Sequence, residues 1–142
     1  MSEESRGSFE FIDHTADAGI RVEAPTLEDL FETAALAFSE LVTSVDSVDC
    51  KVERRFKLQE DDLEALLVSW LQELLYLLDT EDLVFSRFQV RLHGLSLEAA
   101  AWGDVFDPNI HTVKTEIKGV TYHQLEGAKS DRGWQAQVIF DI

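Results

Sequence analysis

Two short runs near the start of the chain, Phe9 to Ile12 and Gly19 to Ala24, alternate apolar and polar residues, the period of half-buried strands. Pro25-Thr26 then opens a helix in which Leu27, Leu30, Phe31, Ala34, Phe38, Leu41 and Val42 form one apolar stripe. Thr26 is its predicted N-cap, with Asp29 three residues on, and helix propensity fades at 43–47. Val52, Phe56 and Leu58 mark a strand from Cys50 to about Gln59, with Arg54 on its apolar side as the sign of an edge or bulge. Glu60-Asp61-Asp62 starts a second helix, running to about Leu78, with acids placed to interact with the helix dipole. Its apolar side is wide enough to predict a position between the first helix and a sheet.

The second half of the chain reads as hairpins. Phe88, Val90 and Leu92 alternate with Arg87, Gln89, Arg91 and His93, Gly94 turns the chain, and Leu95 to Trp102 returns. Val105 to Lys114 is irregular, with Asp107-Pro108 as the start of one helical turn. Thr115 to Leu125 alternates again, with Gly119 as a bulge or a close backbone approach. Ser130-Asp131-Arg132-Gly133 is a turn, and Trp134 to Ile142 closes the last hairpin. The order of strand, strand, helix, strand, helix and four strands predicts an α+β fold. It is a single domain over 9–142 with two helices packed on mainly antiparallel β-sheet, preceded by a flexible segment at 1–8.

A length of 142 residues and 45% hydrophobic content support one soluble globular domain with a real core. Net charge is −16, a field that opposes tight binding of nucleic acid and favours cations or a basic protein partner. A solubility or salt adaptation gives the same charge. The one cysteine, Cys50, excludes an internal disulfide and a thiolate metal cluster. Met1 to Ser8 is polar, unlike a signal peptide, and the apolar stretch from Leu63 to Leu78 is too amphipathic to span a bilayer. A cytoplasmic protein is expected.

Candidate chemistry concentrates in Asp13-His14-Thr15-Ala16-Asp17, between the first two strands. If the last strand pairs beside them, Asp13, Asp17, Asp141 and the terminal carboxylate of Ile142 share one acidic site. Such hard oxygen donors suit calcium, magnesium or manganese rather than zinc. Alternatively the acids and Thr15 only bond turn backbone. His14, His111 and His123 are available for acid–base chemistry, though a lone loop imidazole such as His111 is also commonly solvated or bonded to backbone. Arg87 and Arg91 form the most basic small patch, either a partner contact or a solvated strand face. No phosphate loop, dinucleotide fingerprint, helical metal-binding His pair or nucleophile elbow is present in the sequence. A small metal-dependent hydrolase remains open, and a binding or accessory protein requires fewer assumptions.

Three stretches taken together resemble the archease family: Phe11-Ile-Asp-His-Thr-Ala-Asp17, Thr115-Glu-Ile-Lys-Gly-Val-Thr-Tyr-His123 and Val138-Ile-Phe-Asp-Ile142. The helical segment from Asp61 to Tyr76 and Phe106-Asp-Pro with His111 extend the likeness over the chain after its first eight residues. The resemblance implies an accessory protein and not an enzyme. The partner it implies is an RtcB-type RNA ligase, which joins 2′,3′-cyclic-phosphate or 3′-phosphate ends to 5′-hydroxyl ends in tRNA splicing and RNA repair. The family promotes guanylylation of the ligase and its multiple turnover in a metal-dependent way, while GTP and the covalent intermediate belong to the ligase. By position the implied metal ligands are Asp17, Asp141 and Ile142, with Asp13 auxiliary. Lys118 and Tyr122, or His14, His111 and His123, are the implied ligase contacts. Ala18 stands where the family usually has a larger apolar residue, and Gly119 where it usually has Ala; both read as packing changes. The rivals are a stand-alone metal-dependent hydrolase and a chaperone-like protein-binding module.

Overall fold

The computed structural model describes residues 7–13, 17–130 and 133–142, and their side chains except those of Asp13, Asp17 and 122–130. The strands are β1 (Ser8–Asp13), β2 (Asp17–Ala24), β3 (Val52–Gln59), β4 (Leu83–His93), β5 (Ser96–Val105), β6 (Gly119–Ser130) and β7 (Gly133–Asp141). The helices are α1 (Leu27–Val42) and α2 (Leu63–Glu81). One antiparallel sheet has the order β1-β2-β7-β6 and the other β3-β5-β4. The α+β architecture, with two helices packed on antiparallel sheet, is therefore the one expected. Strand β1 begins at Ser8, which pairs with Glu23; of the expected flexible segment at 1–8, Met1 to Arg6 lie outside the described residues.

Both helix starts follow from their capping residues. Thr26 Oγ1 accepts from the Asp29 amide at 3.1 Å, and Asp62 Oδ1 accepts from the Ala65 amide at 2.8 Å. Each satisfies an N–H that the helix cannot pair internally, a contribution of about 1 kcal/mol. Asp62 is thus a backbone cap. Helix α2 runs to Glu81, beyond the predicted Leu78, and ends on Asp82 in the left-handed region at φ 57°.

Each helix packs against strands of both sheets and against the other helix. Their stripes meet in one core that includes Phe31, Leu66, Trp70, Leu74, Phe85 and Phe140. Trp70 is fully buried, its indole N–H donates to the Phe31 carbonyl at 3.0 Å, and Phe56 and Phe88 meet it edge-on. An aromatic side chain with its polar atom satisfied in this way contributes several kcal/mol through burial.

Several boundaries differ from the periodicity. Strand β3 begins at Val52, not Cys50, and is an edge strand, as Arg54 suggested. Arg54 pairs with Glu81 at the end of α2 at 3.0 Å. The bulge lies instead in β4, between Phe85 and Arg87. It interrupts the alternation and conceals the buried start Leu83-Val84-Phe85. Gly103 of β5 meets that point so closely that a Cβ would lie 2.0 Å from the Val84 carbonyl oxygen. Residues 115–118 carry no ladder, and β6 runs from Gly119 to Ser130, later than the strand predicted from Thr115.

The edge of β4 is closed by α1. Glu32 Oε2 accepts from the Val90 amide and Glu28 Oε2 from the Leu92 amide, both at 2.8 Å. Two carboxylates one helical turn apart thus occupy strand donors that would otherwise face a neighbouring chain. Burial is the main cause that raises the pKa of Glu32, opposed by its Val90 bond and reinforced by Asp29 and Glu28.

Candidate functional site: the acidic end of the β2–β7 pair

The last strand does lie beside the second. Antiparallel pairing of β2 with β7 runs from Ala24 opposite Trp134 to Asp17 opposite Asp141. On the other flank of β7, Gly119 is the partner of Asp141, so Asp17, Asp141 and Gly119 form one cross-strand row. The Lys118 amide donates to the Asp141 carbonyl at 2.7 Å and continues the pairing past the end of β6. Asp141 and Ile142 are both exposed.

Period-2 alternation sets which residues share the face of this row. Gly19 and Ile139 form the next row on it, flanked by Ile12. The Ile139 side chain lies over Gly19, where a Cβ would come within 3.0 Å of Ile139 Cδ1. The acidic row therefore borders an apolar strip. Asp13 occupies a different row, with Ala18 and Phe140. The backbone thus places Asp17 and Asp141 directly opposite, with Asp13 offset by one step.

Gly119 has a steric consequence. A Cβ there would touch Asp141 Oδ2 at 3.4 Å, so its absence leaves one flank of the carboxylate without a side chain. Like charges directly opposite in a sheet are destabilising by about 0.2–1 kcal/mol. Two paired aspartates in a chain of net charge −16 thus form a point where a cation relieves repulsion. The donors are all hard oxygens, a chemistry that fits calcium, magnesium or manganese. Among the described side chains no three of His, Cys, Asp or Glu converge; this set draws on Asp13 and Asp17, whose side chains lie outside them.

The other predicted residues divide clearly. His111 is 4% exposed, with Nδ1 accepting from the Asp107 amide at 2.9 Å and Nε2 donating to the Ser47 carbonyl at 3.1 Å. The ring also stacks on Phe106. With both nitrogens engaged inside the chain, His111 holds the 106–111 loop against the turn after α1 and is not presented to a partner. Lys118 is exposed beside the acidic row. His14 lies outside the described residues, as do the side chains of Tyr122 and His123; the β6 register shifts between Tyr122 and Gln124, at His123. Sequence reasoning missed the fit of Gly119 to Asp141, for which the only signal is its position opposite an acid once the register is known.

Residues 9–142 match the Archease protein family (MTH1598/TM1083). The chain belongs to the archease family. It is 42% identical over 139 residues to the protein archease of Methanosarcina mazei, covering 94% of this chain and 95% of that one. The protein archease of Pyrococcus furiosus is also 42% identical over 139 residues, covering 94% and 98%. The solution structure of Methanobacterium thermoautotrophicum protein 1598 superposes with a TM-score of 0.83 at 38% identity, covering 94% of this chain and 98% of that one. No helix among the described residues is long and apolar enough to cross a membrane.

Proposed function

We propose that this archease-family chain is a cytoplasmic accessory protein that activates an RtcB-type RNA ligase in tRNA splicing and RNA repair, promoting its guanylylation and multiple turnover. The observation that carries the reading is the register that sets Asp17 opposite Asp141, beside Ile142. Asp17, Asp141 and the Ile142 carboxylate are the proposed ligands of a divalent ion, calcium or else manganese or magnesium, with Asp13 auxiliary. When bound, that ion supplies positive charge and Lewis acidity at the surface offered to the ligase. The chain's own residues do the positioning. The β2–β7 ladder fixes the spacing of the acids, Gly119 keeps one flank of Asp141 clear, and the apolar strip of Ile12 and Ile139 adjoins the site. Lys118, exposed next to Asp141, is the proposed charged contact to the ligase, with Tyr122, His14 and His123 as further contacts. Nucleotide chemistry remains on the ligase.

The reading is tested by ligase guanylylation with labelled GTP and manganese. Wild-type chain is expected to accelerate formation of the guanylylated ligase, and Asp17→Ala to fail while still binding the ligase. Full acceleration by Asp17→Ala would remove the acidic site from the account. Turnover of a substrate by the isolated chain with a divalent ion would favour the hydrolase reading. General suppression of aggregation, without effect on the ligase, would favour the chaperone-like one.

A further inference from the structure

The face of the β3-β5-β4 sheet turned away from the helices is built from cross-strand rows. At one end Trp102 lies between Glu53 and Arg87. In the middle Ala100 lies between Arg55 and Gln89, and beyond it Glu98 lies between Lys57 and Arg91. The methyl of Ala100 is the shortest of the three central side chains, so the middle row sinks into a groove of about 570 Å³. Ala100 keeps only 5% exposure although it faces outward, because its neighbours rise over it.

The charges here reverse those of the molecule. Arg55, Lys57, Arg87 and Arg91 face Glu53 and Glu98, four bases against two acids in a chain of net charge −16. Glu53 is already occupied, accepting from Arg55 at 2.8 Å and from the Trp102 indole at 3.2 Å. Arg87 lies over the Trp102 ring at 5.1 Å. Glu98 lies 4.0 Å from Lys57, whereas the side chains of Arg91 and Gln89 have no hydrogen bond or ion pair among the described residues. The groove thus offers an uncommitted guanidinium and amide on one wall and exposed Arg55 and Lys57 on the other.

We propose that this groove docks an extended acidic segment of a partner protein, independently of the ligase reading, since it lies on the other sheet from the acidic row. Residues two apart on a strand are about 6.6–6.8 Å apart. An extended peptide repeats its alternate side chains at that interval, so acids at every second position meet successive groups along a wall. Field range favours a short acidic segment over RNA. A long polyanion experiences the repulsion of the whole chain, whereas a few carboxylates within a Debye length of about 8 Å are governed by the local bases. Glu98 at one end of the groove also opposes a continuous row of phosphates.

Fluorescence anisotropy of a labelled peptide of alternating Glu and Thr, titrated with the full chain, tests this. The peptide is expected to bind, to release as salt rises, and to lose affinity about tenfold or more with Arg91→Glu. Ala100→Leu, which fills the groove without changing charge, is expected to weaken it as well, and the matching Gln–Thr peptide to stay unbound. Unchanged melting of Arg91→Glu verifies that its fold is intact. Absence of binding, or equal binding by Arg91→Glu, overturns the proposal. Tighter binding of a single-stranded RNA of equal charge would replace it with a nucleic-acid surface.

Discussion

Replacing Asp141 with Asn tests the paired acids without altering size. Asp17 and Asp141 are direct cross-strand partners, so removing one charge relieves a repulsion of about 0.2–1 kcal/mol in the ion-free protein. With 142 residues the unfolding entropy is about 0.3 kcal/mol/K, so this relief raises the melting temperature by about 1–3 °C. A divalent ion should reverse the order. An ion that binds only the folded chain adds about 2.7 kcal/mol at a hundred times its dissociation constant, or about 9 °C by the same conversion. Thermal unfolding is therefore to be followed in chelator and again with calcium or manganese. Asp141→Asn is expected to melt above wild type in chelator and to lose most of the ion-dependent rise. A variant that melts below wild type in chelator would exclude the repulsion between the two acids, and one that keeps the full rise would exclude Asp141 as a ligand. The turn-former alternative predicts no rise for either protein.

Other positions give independent checks. The raised pKa of Glu32 means its contribution to stability is fully present below the unfolded value of 4.5 and is lost as pH rises through the folded value. Glu32→Gln keeps an acceptor for Val90 without a charge, so acidification from neutral pH should favour wild type over the variant; a pH-independent difference in chemical denaturation would contradict this. Gly103→Ala forces a Cβ into the Val84 backbone and should cost at least about 1–3 kcal/mol by urea titration, whereas a neutral result would mean that the β4–β5 crossing relaxes freely. His111→Ala orphans the Asp107 amide and Ser47 carbonyl and should cost about 2–4 kcal/mol while the folded protein still stimulates the ligase. Unchanged stability with lost stimulation would return His111 to the partner-contact role.

Local pattern made much of this fold legible. Thr26 before an apolar stripe marks a cap because a side-chain oxygen is needed where the first helical amides lack partners. The strand nature of Phe9–Ile12 and Val138–Ile142 was equally readable, and the idea that both ends of the chain meet at an acidic point followed from them. The register that sets Asp17 opposite Asp141 depends on pairing between distant strands, which no local period encodes. The same limit concealed the basic groove. Arg87 and Arg91 were visible as a patch, but their association with Arg55 and Lys57 arises only because β5 inserts between β3 and β4. His111 was ambiguous because an imidazole in a loop looks the same in sequence whether its nitrogens face water or a carbonyl. The continuous apolar start of β4 was masked by its bulge, which breaks the alternation that reveals a strand.

Activation of the ligase through the acidic row is tested by multiple-turnover RNA ligation with the RtcB-type ligase from the same source, GTP and manganese, adding the chain in substoichiometric amounts. Wild type is expected to restore many turnovers per ligase, and Asp17→Ala to leave the reaction at the level without accessory. Equal turnover with wild type, Asp17→Ala and no addition would contradict the claim and leave the archease family membership as a statement about ancestry and fold.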